Sequence, residues 1–350
     1  MASIVKRGKS SYRAEISNYR RGTNKRITKT FKTRAEAKHW ALQQEIAKGN
    51  GVDLALRQDT FADFFENWVY IVKKNDVRPA TFLNYTRTIP IVKNLFGCLK
   101  LSELNDIIVQ KKIDDYGENH SRKTTTEVLL KIRTSLRYAY GRGLLATDFA
   151  GLVKTRGKEL EKRNKALSIT EFKILRQYLL ENHESDFNIL ALLALETGAR
   201  RGELLGLKLD DIYKFGIRIL RSVSPHSEDT RLKTKHSKRE VSINENIYNI
   251  LITVKPKEDG YLFDSNGFRQ SAELAKILKK LNLTKTTFHG LRDTHASYLF
   301  SNDTIRLDFI SKRLGHSSVI TTQNYYLELM PEKKHQQDAD ALELLNSLNF

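Results

Sequence analysis

The stretches FHGLRDTHASYL (residues 288–299) and LGHSSVITTQNYY (residues 314–326) determine how the rest of this chain is interpreted. They contain His289, Arg292, His316 and Tyr325, which are groups that can make and break a phosphodiester bond. On a helix of about 3.6 residues per turn, His289 and Arg292 lie three positions apart, so they share one face and can reach one phosphate together. Gly315 interrupts the chain before His316, and a further short helix carrying Tyr325 is predicted to follow.

Each of these residues also has an ordinary structural interpretation. A single histidine near apolar positions is most often a hydrogen-bonded structural residue, and a tyrosine among hydrophobic residues is most often part of the core. A second segment favours the functional interpretation. LETGARRGELLGLKLDDI (residues 195–212) places Arg200 at a glycine-marked turn between two apolar helical segments, where a guanidinium can bind two phosphate oxygens.

Together these segments closely resemble the tyrosine recombinases, specifically the lambda-type integrases of phages and integrative elements. The family motif TG-x-R-x-x-E is present at residues 197–203, the motif H-x-x-R at residues 289–292, and LGH at residues 314–316. In that family the nucleophilic tyrosine lies nine residues after the LGH histidine, which indicates Tyr325 rather than Tyr326.

The resemblance implies that DNA strands are cut and rejoined through a 3′-phosphotyrosyl intermediate, with no metal or cofactor. The two arginines would neutralise the non-bridging phosphate oxygens, the two histidines would bind these oxygens or assist proton transfer, and a lysine would protonate the leaving 5′-hydroxyl. Glu203 is predicted to support the site. The predicted catalytic residues are Arg200, Lys233, His289, Arg292, His316 and the nucleophile Tyr325.

The position of the lysine is ambiguous in the sequence. The family carries it on a hairpin of a small sheet, which corresponds to LKTKHSKREVSI (residues 232–243). Lys233 fits the pattern of many relatives and is favoured, Lys235 is the next choice, and Lys238 is near enough to compete.

Charge is unevenly distributed along the chain, whose formal net charge is +19. Residues 1–50 contain 13 Lys or Arg and 3 acidic residues, whereas residues 166–350 contain 26 and 24. Because neutralising phosphates releases condensed counterions, such an excess favours a polyanionic partner, and double-stranded DNA is the expected one.

The sequence predicts a small basic domain at residues 1–55. Residues 3–32 alternate β-branched and aromatic residues with Lys and Arg, which predicts three short strands with turns at Gly8 and Gly22. Thr33 and Glu36 form a capping-box pattern before a helix. The layout resembles the arm-binding domain of lambda-type integrases, which would lay its sheet into a DNA groove.

Helical periodicity begins at Thr60 and predicts a bundle of four helices. With its basic helix faces this bundle, at residues 58–155, resembles the family's core-binding domain, which would contact core-type sites. The polar segment that follows predicts an interdomain linker at residues 156–166. Residues 167–350 are the predicted catalytic domain, mainly helical with a small antiparallel sheet and ending in a tail helix. The predicted fold class is therefore multidomain, mostly α, with a three-stranded sheet plus helix at the N-terminus.

The family resemblance also predicts partners. The tail, with Leu342, Leu345 and Leu348 at helical spacing, would dock on a neighbouring protomer of a homotetramer on DNA, although packing within one chain fits equally well. An excisionase and a DNA-bending host protein are further predicted partners, and the function would be integration and excision of a phage or mobile element.

Two other classes of DNA-binding protein share part of these sequence features. A non-catalytic DNA-binding regulator would share the charge but would not need all five of the arginine, histidine and tyrosine residues. A type IB topoisomerase or a telomere-resolving enzyme would share the chemistry, but usually lacks such a basic sheet at the N-terminus. No apolar run approaches the roughly 20 residues of a membrane span, the N-terminus lacks a signal peptide, and a single cysteine, Cys98, excludes an intramolecular disulfide. A cytoplasmic location in a bacterial host is therefore expected.

Overall fold

The computed structural model describes residues 2–20, 23–49, 59–160, 166–224, 229–232, 234–264, 270–302, 304–329, 341–343 and 345–347. The chain divides into two compact units, Met1–Glu161 and Lys162–Phe350. The boundary between them falls inside the segment that the sequence predicts to be a linker.

The first unit begins with an antiparallel sheet and one helix, as predicted. The strands pair in the order β1-β2-β3. Thr33 caps the helix in the expected manner, because its hydroxyl accepts from the Glu36 amide at 3.2 Å and the Glu36 carboxylate accepts from the Thr33 amide at 3.3 Å. The predicted turn residue Gly22 lies outside the described residues. The elements are β1 (Ser3–Gly8), β2 (Ser11–Arg20), β3 (Thr23–Phe31) and α1 (Arg34–Gly49).

The two faces of this sheet differ in chemistry. Ala14 on β2 is buried against Ala37 and Ala41 of α1. Since side chains alternate along a strand, Arg13 and Glu15 lie on the opposite face. The helix therefore covers one face and leaves a polar one.

Five α-helices follow in the part of the first unit that the structure describes after α1, residues 59–160. They are α2 (Phe61–Trp68), which continues through a π-helical turn (Val69–Lys73) to Lys74–Asp76, then α3 (Pro79–Thr86), α4 (Ile89–Phe96), α5 (Asp106–Asn119) and α6 (Arg122–Gly141). Their core includes the fully buried rings of Phe61, Phe65 and Phe96.

One predicted helix of this unit is in fact two. The second of the four predicted helices is expected at residues 80–97 from its helical periodicity, but α3 ends at Thr86 and α4 begins at Ile89. Pro90 lies in the first turn of α4. Proline has no amide hydrogen and clashes with the preceding turn, so it starts a helix there and breaks the longer one.

The segment after α6 packs on the helices that precede it. The Gln110 side chain on α5 donates to the Lys154 carbonyl at 3.0 Å and accepts from the Lys154 amide at 2.7 Å. The Arg122 amide donates to the Lys158 carbonyl at 2.9 Å. Much of the stretch between residues 154 and 160 is therefore tied to α5 and α6, and residues 161–165 lie outside the described residues.

The second unit is mostly helical and contains a three-stranded antiparallel sheet in the order β4-β5-β6. Its elements are α7 (Ile169–Glu181), α8 (Asp186–Thr197), α9 (Arg201–Leu205), β4 (Ile212–Tyr213), β5 (Gly216–Ile219), β6 (Arg239–Ser242), α10 (Glu245–Leu251), α11 (Gln270–Lys280), α12 (Phe288–Phe300), α13 (Leu307–Leu314) and α14 (Val319–Leu329). Nearly every residue of α8 from Phe187 to Thr197 is buried, which makes it the centre of the unit.

The fold class predicted from the sequence is confirmed, with a difference in the small sheet. The sequence KTKHSKREVSI (residues 233–243) is expected to form a strand of this sheet, but a short 3-10 turn occupies Lys235–Ser237 and β6 begins only at Arg239. In the tail, residues 341–343 are helical, and Leu342 and Leu345 are exposed. Across the described ranges, none of the helices combines the length and the apolar character needed to span a bilayer.

Candidate active site

The turn that carries Arg200 depends on a glycine. Helix α8 ends at Thr197, and Gly198 follows with φ +63°, a left-handed conformation that favours glycine. A Cβ atom at Gly198 would lie 2.6 Å from the His295 ring and 2.8 Å from the Leu314 side chain. The turn therefore packs tightly against α12 and the end of α13, and Arg200 is the N-cap residue of the next helix, α9.

Glu203 holds the backbone and the side chain of Arg200 in position. Its carboxylate accepts from the Arg200 amide at 2.9 Å and from Arg200 Nη1 at 2.8 Å, and its other neighbour is Arg239, whose Nη2 donates at 2.9 Å. The Glu203 side chain is 2% exposed, and that of Arg200 is 36% exposed. Burial alone would raise the pKa of Glu203, but Arg239 and Arg200 outweigh burial and hold this pKa below its ordinary value. The predicted supporting role thus has a structural basis.

Arg292 lies at the centre of the site. Its Nη1 donates to the Gly198 carbonyl at 2.6 Å and its Nη2 donates to the Leu314 carbonyl at 2.7 Å. One guanidinium therefore joins the turn before Arg200 to the turn before the LGH histidine. Burial, and next the charge of Arg200, lower the pKa of Arg292 to about 9, so the group stays protonated at neutral pH.

His289 occupies a different environment from Arg292. The two residues stand at positions i and i+3 of α12, as predicted, but the His289 side chain is 63% exposed while Arg292 is buried. His289 Nε2 lies 3.8 Å from the Asp293 carboxylate. Their joint contact with one phosphate stays a prediction.

His316 follows a second left-handed glycine. Helix α13 ends at Leu314, Gly315 has φ +68°, and His316 Nδ1 lies 2.7 Å from the hydroxyl of the buried Thr322 on α14. Burial, then the charges of Arg292 and Arg200, lower the pKa of His316 to about 4. The imidazole is therefore neutral at pH 7, and one of its two nitrogens bonds the Thr322 hydroxyl.

The remaining predicted residues are described only in part. Tyr325 and Tyr326 belong to α14, which packs against α12 and α13, but their side chains lie outside the described residues. Lys233 also lies outside them, as does the side chain of Lys235, whereas Lys238 is exposed. Within the part of the chain that the structure describes, no cluster of His, Cys, Asp or Glu is suited to hold a metal ion.

Sequence reasoning missed three residues that build the site. Arg239 on β6 binds Glu203, and Arg313 on α13 donates from Nε to His295 Nε2 at 3.2 Å. His295 is buried and also bonds the Leu195 carbonyl through Nδ1 at 2.7 Å. Burial, then Arg313, lower the pKa of His295 to about 3, so it is a neutral connector. Alternation with the buried Val241 was the available signal that Arg239 faces inward.

Comparison with known proteins identifies the family. The Phage integrase family model matches residues 184–332, and the model of the phage integrase N-terminal SAM-like domain matches residues 60–116. A tyrosine recombinase XerC-like protein of Caldanaerobacter subterraneus subsp. tengcongensis is 29% identical over 99% of this chain and 98% of its own length. The chain belongs to the phage integrase family of tyrosine recombinases.

Two further comparisons agree with this assignment. The chain is 26% identical to the integrase of Staphylococcus phage L54a, over 83% of this chain and 94% of that integrase. A solved structure of a lambda integrase tetramer bound to a Holliday junction has a TM-score of 0.61 at 17% identity and covers 92% of this chain and 94% of that one. At that identity the likeness shows the fold.

The assignment confirms two predictions. The chain is an integrase of the lambda type, and it is a tyrosine-type site-specific recombinase. The relatives give no support to a non-catalytic regulator or to a topoisomerase-like enzyme. The roles of individual site residues stay predictions.

Proposed function

We propose that this integrase cuts and rejoins DNA at a phosphate held over Arg292. The observation that carries the proposal is the pair of hydrogen bonds from Arg292 to the carbonyls of Gly198 and Leu314, at 2.6 and 2.7 Å. Through it, the segments that lead to Arg200 and His316 are fixed around one positive charge. The proposed catalytic residues are Arg200, Lys233, His289, Arg292, His316 and the nucleophile Tyr325.

The first step transfers a phosphoryl group to the protein. The phenolic oxygen of Tyr325 bonds to phosphorus, a site histidine accepts the phenol proton, and the bond to the 5′ oxygen breaks. Lys233 supplies the proton that makes the departing oxygen a 5′-hydroxyl, with Lys235 as the alternative. Attack of a 5′-hydroxyl on the resulting 3′-phosphotyrosine rejoins the strand, and the bond energy is conserved throughout.

The electrostatics of the site favour this step. Arg200 and Arg292 carry positive charge that is fixed before DNA binds, and in a partly desolvated site such charge stabilises the extra negative charge of the transition state. Arg200 is the more exposed of the two and is braced by Glu203. His316 is neutral at pH 7 and can therefore donate or accept a proton according to its tautomer.

The first unit is proposed to supply two DNA contacts. Residues 1–55 would bind arm-type sites through the sheet face that α1 leaves uncovered, where Arg13 and Arg26 flank Glu15.

Residues 58–155 would bind core-type sites. On α6, Lys123 and Arg137 are exposed, whereas Lys131 donates to the Thr88 hydroxyl at 2.9 Å inside the unit. The exposed pair is thus the better candidate for phosphate contact.

The proposed assembly is a homotetramer on two DNA duplexes, and the solved structure of a lambda integrase tetramer on a Holliday junction supports the tetramer. The tail helix is proposed to dock on a neighbouring protomer, with packing within its own chain as the equal alternative. An excisionase, a DNA-bending host protein and a cytoplasmic location complete the proposal, in which the chain integrates and excises a phage or mobile element. The linker is proposed to span residues 156–166 and the catalytic domain residues 167–350.

Nuclease footprinting tests the proposed division of labour. The full chain should protect two classes of site, and a variant beginning at residue 58 should protect only the core class while still forming a covalent adduct on a nicked core duplex. A regulator would give no adduct. A topoisomerase-like enzyme would give an adduct but one class of footprint, as would an integrase whose N-terminal sheet does not bind DNA.

A further inference from the structure

Arg239, which lies outside the predicted catalytic set, makes three side-chain hydrogen bonds within the second unit. It begins β6, and its side chain is 6% exposed. All three of its nitrogens donate to protein atoms. Nε donates to the Arg313 carbonyl at 2.7 Å, Nη1 to the Ser237 carbonyl at 3.0 Å, and Nη2 to the Glu203 carboxylate at 2.9 Å. The Arg239 guanidinium is therefore held on three sides by other segments of the second unit.

The contact with Glu203 links Arg239 to Arg200. Glu203 has two oxygens: Oε1 accepts from Arg200, and Oε2 accepts from Arg239. Because the carboxylate is buried, its position is set by the cations that bind it. Arg239 therefore fixes the group that orients the Arg200 guanidinium.

The contact with the Arg313 carbonyl links Arg239 to the segment before His316. Arg313 and Gly315 belong to the turn that precedes this histidine, and Arg239 binds the first through its carbonyl. A Cβ atom on Gly315 would lie 2.8 Å from Arg239 Nη1 and 3.1 Å from Cζ. The turn thus packs closely against the guanidinium, and a glycine is needed there for spacing as well as for its positive φ.

The contact with the Ser237 carbonyl links Arg239 to the loop that contains the candidate lysines Lys233, Lys235 and Lys238. The Ser237 carbonyl belongs to the short turn Lys235–Ser237, immediately before β6. One planar group therefore touches the segments behind Arg200, His316 and the lysine loop. A lysine could not replace it, because an ammonium group cannot span three acceptors fixed in a fork-shaped arrangement.

We infer that Arg239 is a positioning residue of the recombination reaction, which sets the relative placement of Arg200 and His316 without touching DNA. The inference rests on the proposed function of those two residues. Its consequence is that loss of Arg239 slows strand cleavage and leaves DNA affinity unchanged. Misplacement of catalytic groups by about 1 Å can cost roughly 10²-fold in rate.

The test compares Arg239→Lys with Arg218→Lys. Arg218 lies on the adjacent strand β5, and its side chain is 45% exposed and paired with Glu240, so it is a matched control. Single-turnover adduct formation on a nicked core duplex should slow roughly 10²-fold in Arg239→Lys. It should be unchanged in Arg218→Lys, and both variants should bind the duplex as the wild type does. A wild-type rate in a folded Arg239→Lys protein would overturn the inference, as would weaker DNA binding that accounts for the whole loss of rate.

A second pair of variants covers the case in which Arg239→Lys does not fold. Glu203→Gln and the double variant Glu203→Gln/Arg239→Met leave no unpaired buried carboxylate. If Arg239 acts through Glu203, adding Arg239→Met should slow Glu203→Gln by much less than 10²-fold, whereas a full 10²-fold further loss would contradict that route. Failure of the wild type to form any adduct would instead refute the proposed function itself.

Discussion

Arg292 Nη1 lies 2.6 Å from the carbonyl oxygen of Gly198, 94 residues earlier in the chain. Together with the bond to Leu314, this contact closes the site around one buried guanidinium. The geometry needs two donors on one planar group, which arginine has and lysine lacks.

Arg292→Lys should therefore lose at least one hydrogen bond from a charged donor, worth about 1.5 to 3 kcal/mol of unfolding free energy. Chemical denaturation measures the loss. The control is Arg306→Lys, whose side chain is 83% exposed, and it should change stability little. Equal stabilities for the two variants would show that the bridge does not hold the site together.

Gly198→Ala should destabilise the second unit, because alanine at φ +63° costs about 1 to 2 kcal/mol and the new Cβ would overlap the His295 ring. A lowered melting temperature is the expected result. The matched control is Gly141→Ala at the end of α6, where nothing lies within 4 Å of the added carbon. A stable Gly198→Ala protein would mean that the turn takes another conformation.

Stability should fall as the pH is lowered from about 6.5 toward 4. The folded-state pKa values of His316 (about 4) and His295 (about 3) lie below the unfolded value of 6.5, chiefly because of burial. The unfolded chain therefore binds more protons in this window, and acid favours unfolding. His316→Asn should flatten the pH dependence of the melting temperature between pH 6.5 and 4, whereas His183→Asn at an exposed position should not. An unchanged slope in His316→Asn would contradict the assignment.

Lys233→Ala should slow cleavage of ordinary DNA far more than cleavage of a duplex with a 5′-bridging phosphorothiolate, since sulfur leaves without protonation. Lys235→Ala is the comparison, and rates of adduct formation are the readout. If Lys233→Ala slows both substrates equally and Lys235→Ala shows the selective loss, the general acid is Lys235.

Local patterns were enough to predict much of the fold. Thr33 and Glu36 gave the start of α1, and alternation gave the N-terminal strands, because capping and strand pairing depend on neighbouring residues. The break between α3 and α4 was visible at Pro90 but was outweighed by the apolar periodicity on either side.

The site was less predictable, because its geometry depends on contacts between distant segments. The exposure of His289 and the burial of Arg292 follow from what packs on α12, which the spacing of two residues on one helix does not encode. Arg239 was missed because its partners, Glu203 and the Arg313 carbonyl, come from elements 36 and 74 residues away. The motif residues and the supporting Glu203 were found through family resemblance, whereas Arg239, Arg313 and His295 were found only in the structure.

The central claim is that the Tyr325 hydroxyl becomes covalently joined to DNA. Tyr325→Phe removes one oxygen and keeps the ring, so any loss of stability should be at most that of one hydrogen bond, about 0.5 to 1.5 kcal/mol, and DNA binding should persist. Neighbouring helical side chains point about 100° apart, so Tyr326 should not take over the reaction.

The deciding measurement is trapping of the covalent complex on a nicked core duplex, resolved as a shifted band on a denaturing gel. The wild type and Tyr326→Phe should both give the adduct, and Tyr325→Phe should give none. An adduct that persists in Tyr325→Phe and disappears in Tyr326→Phe would contradict the account.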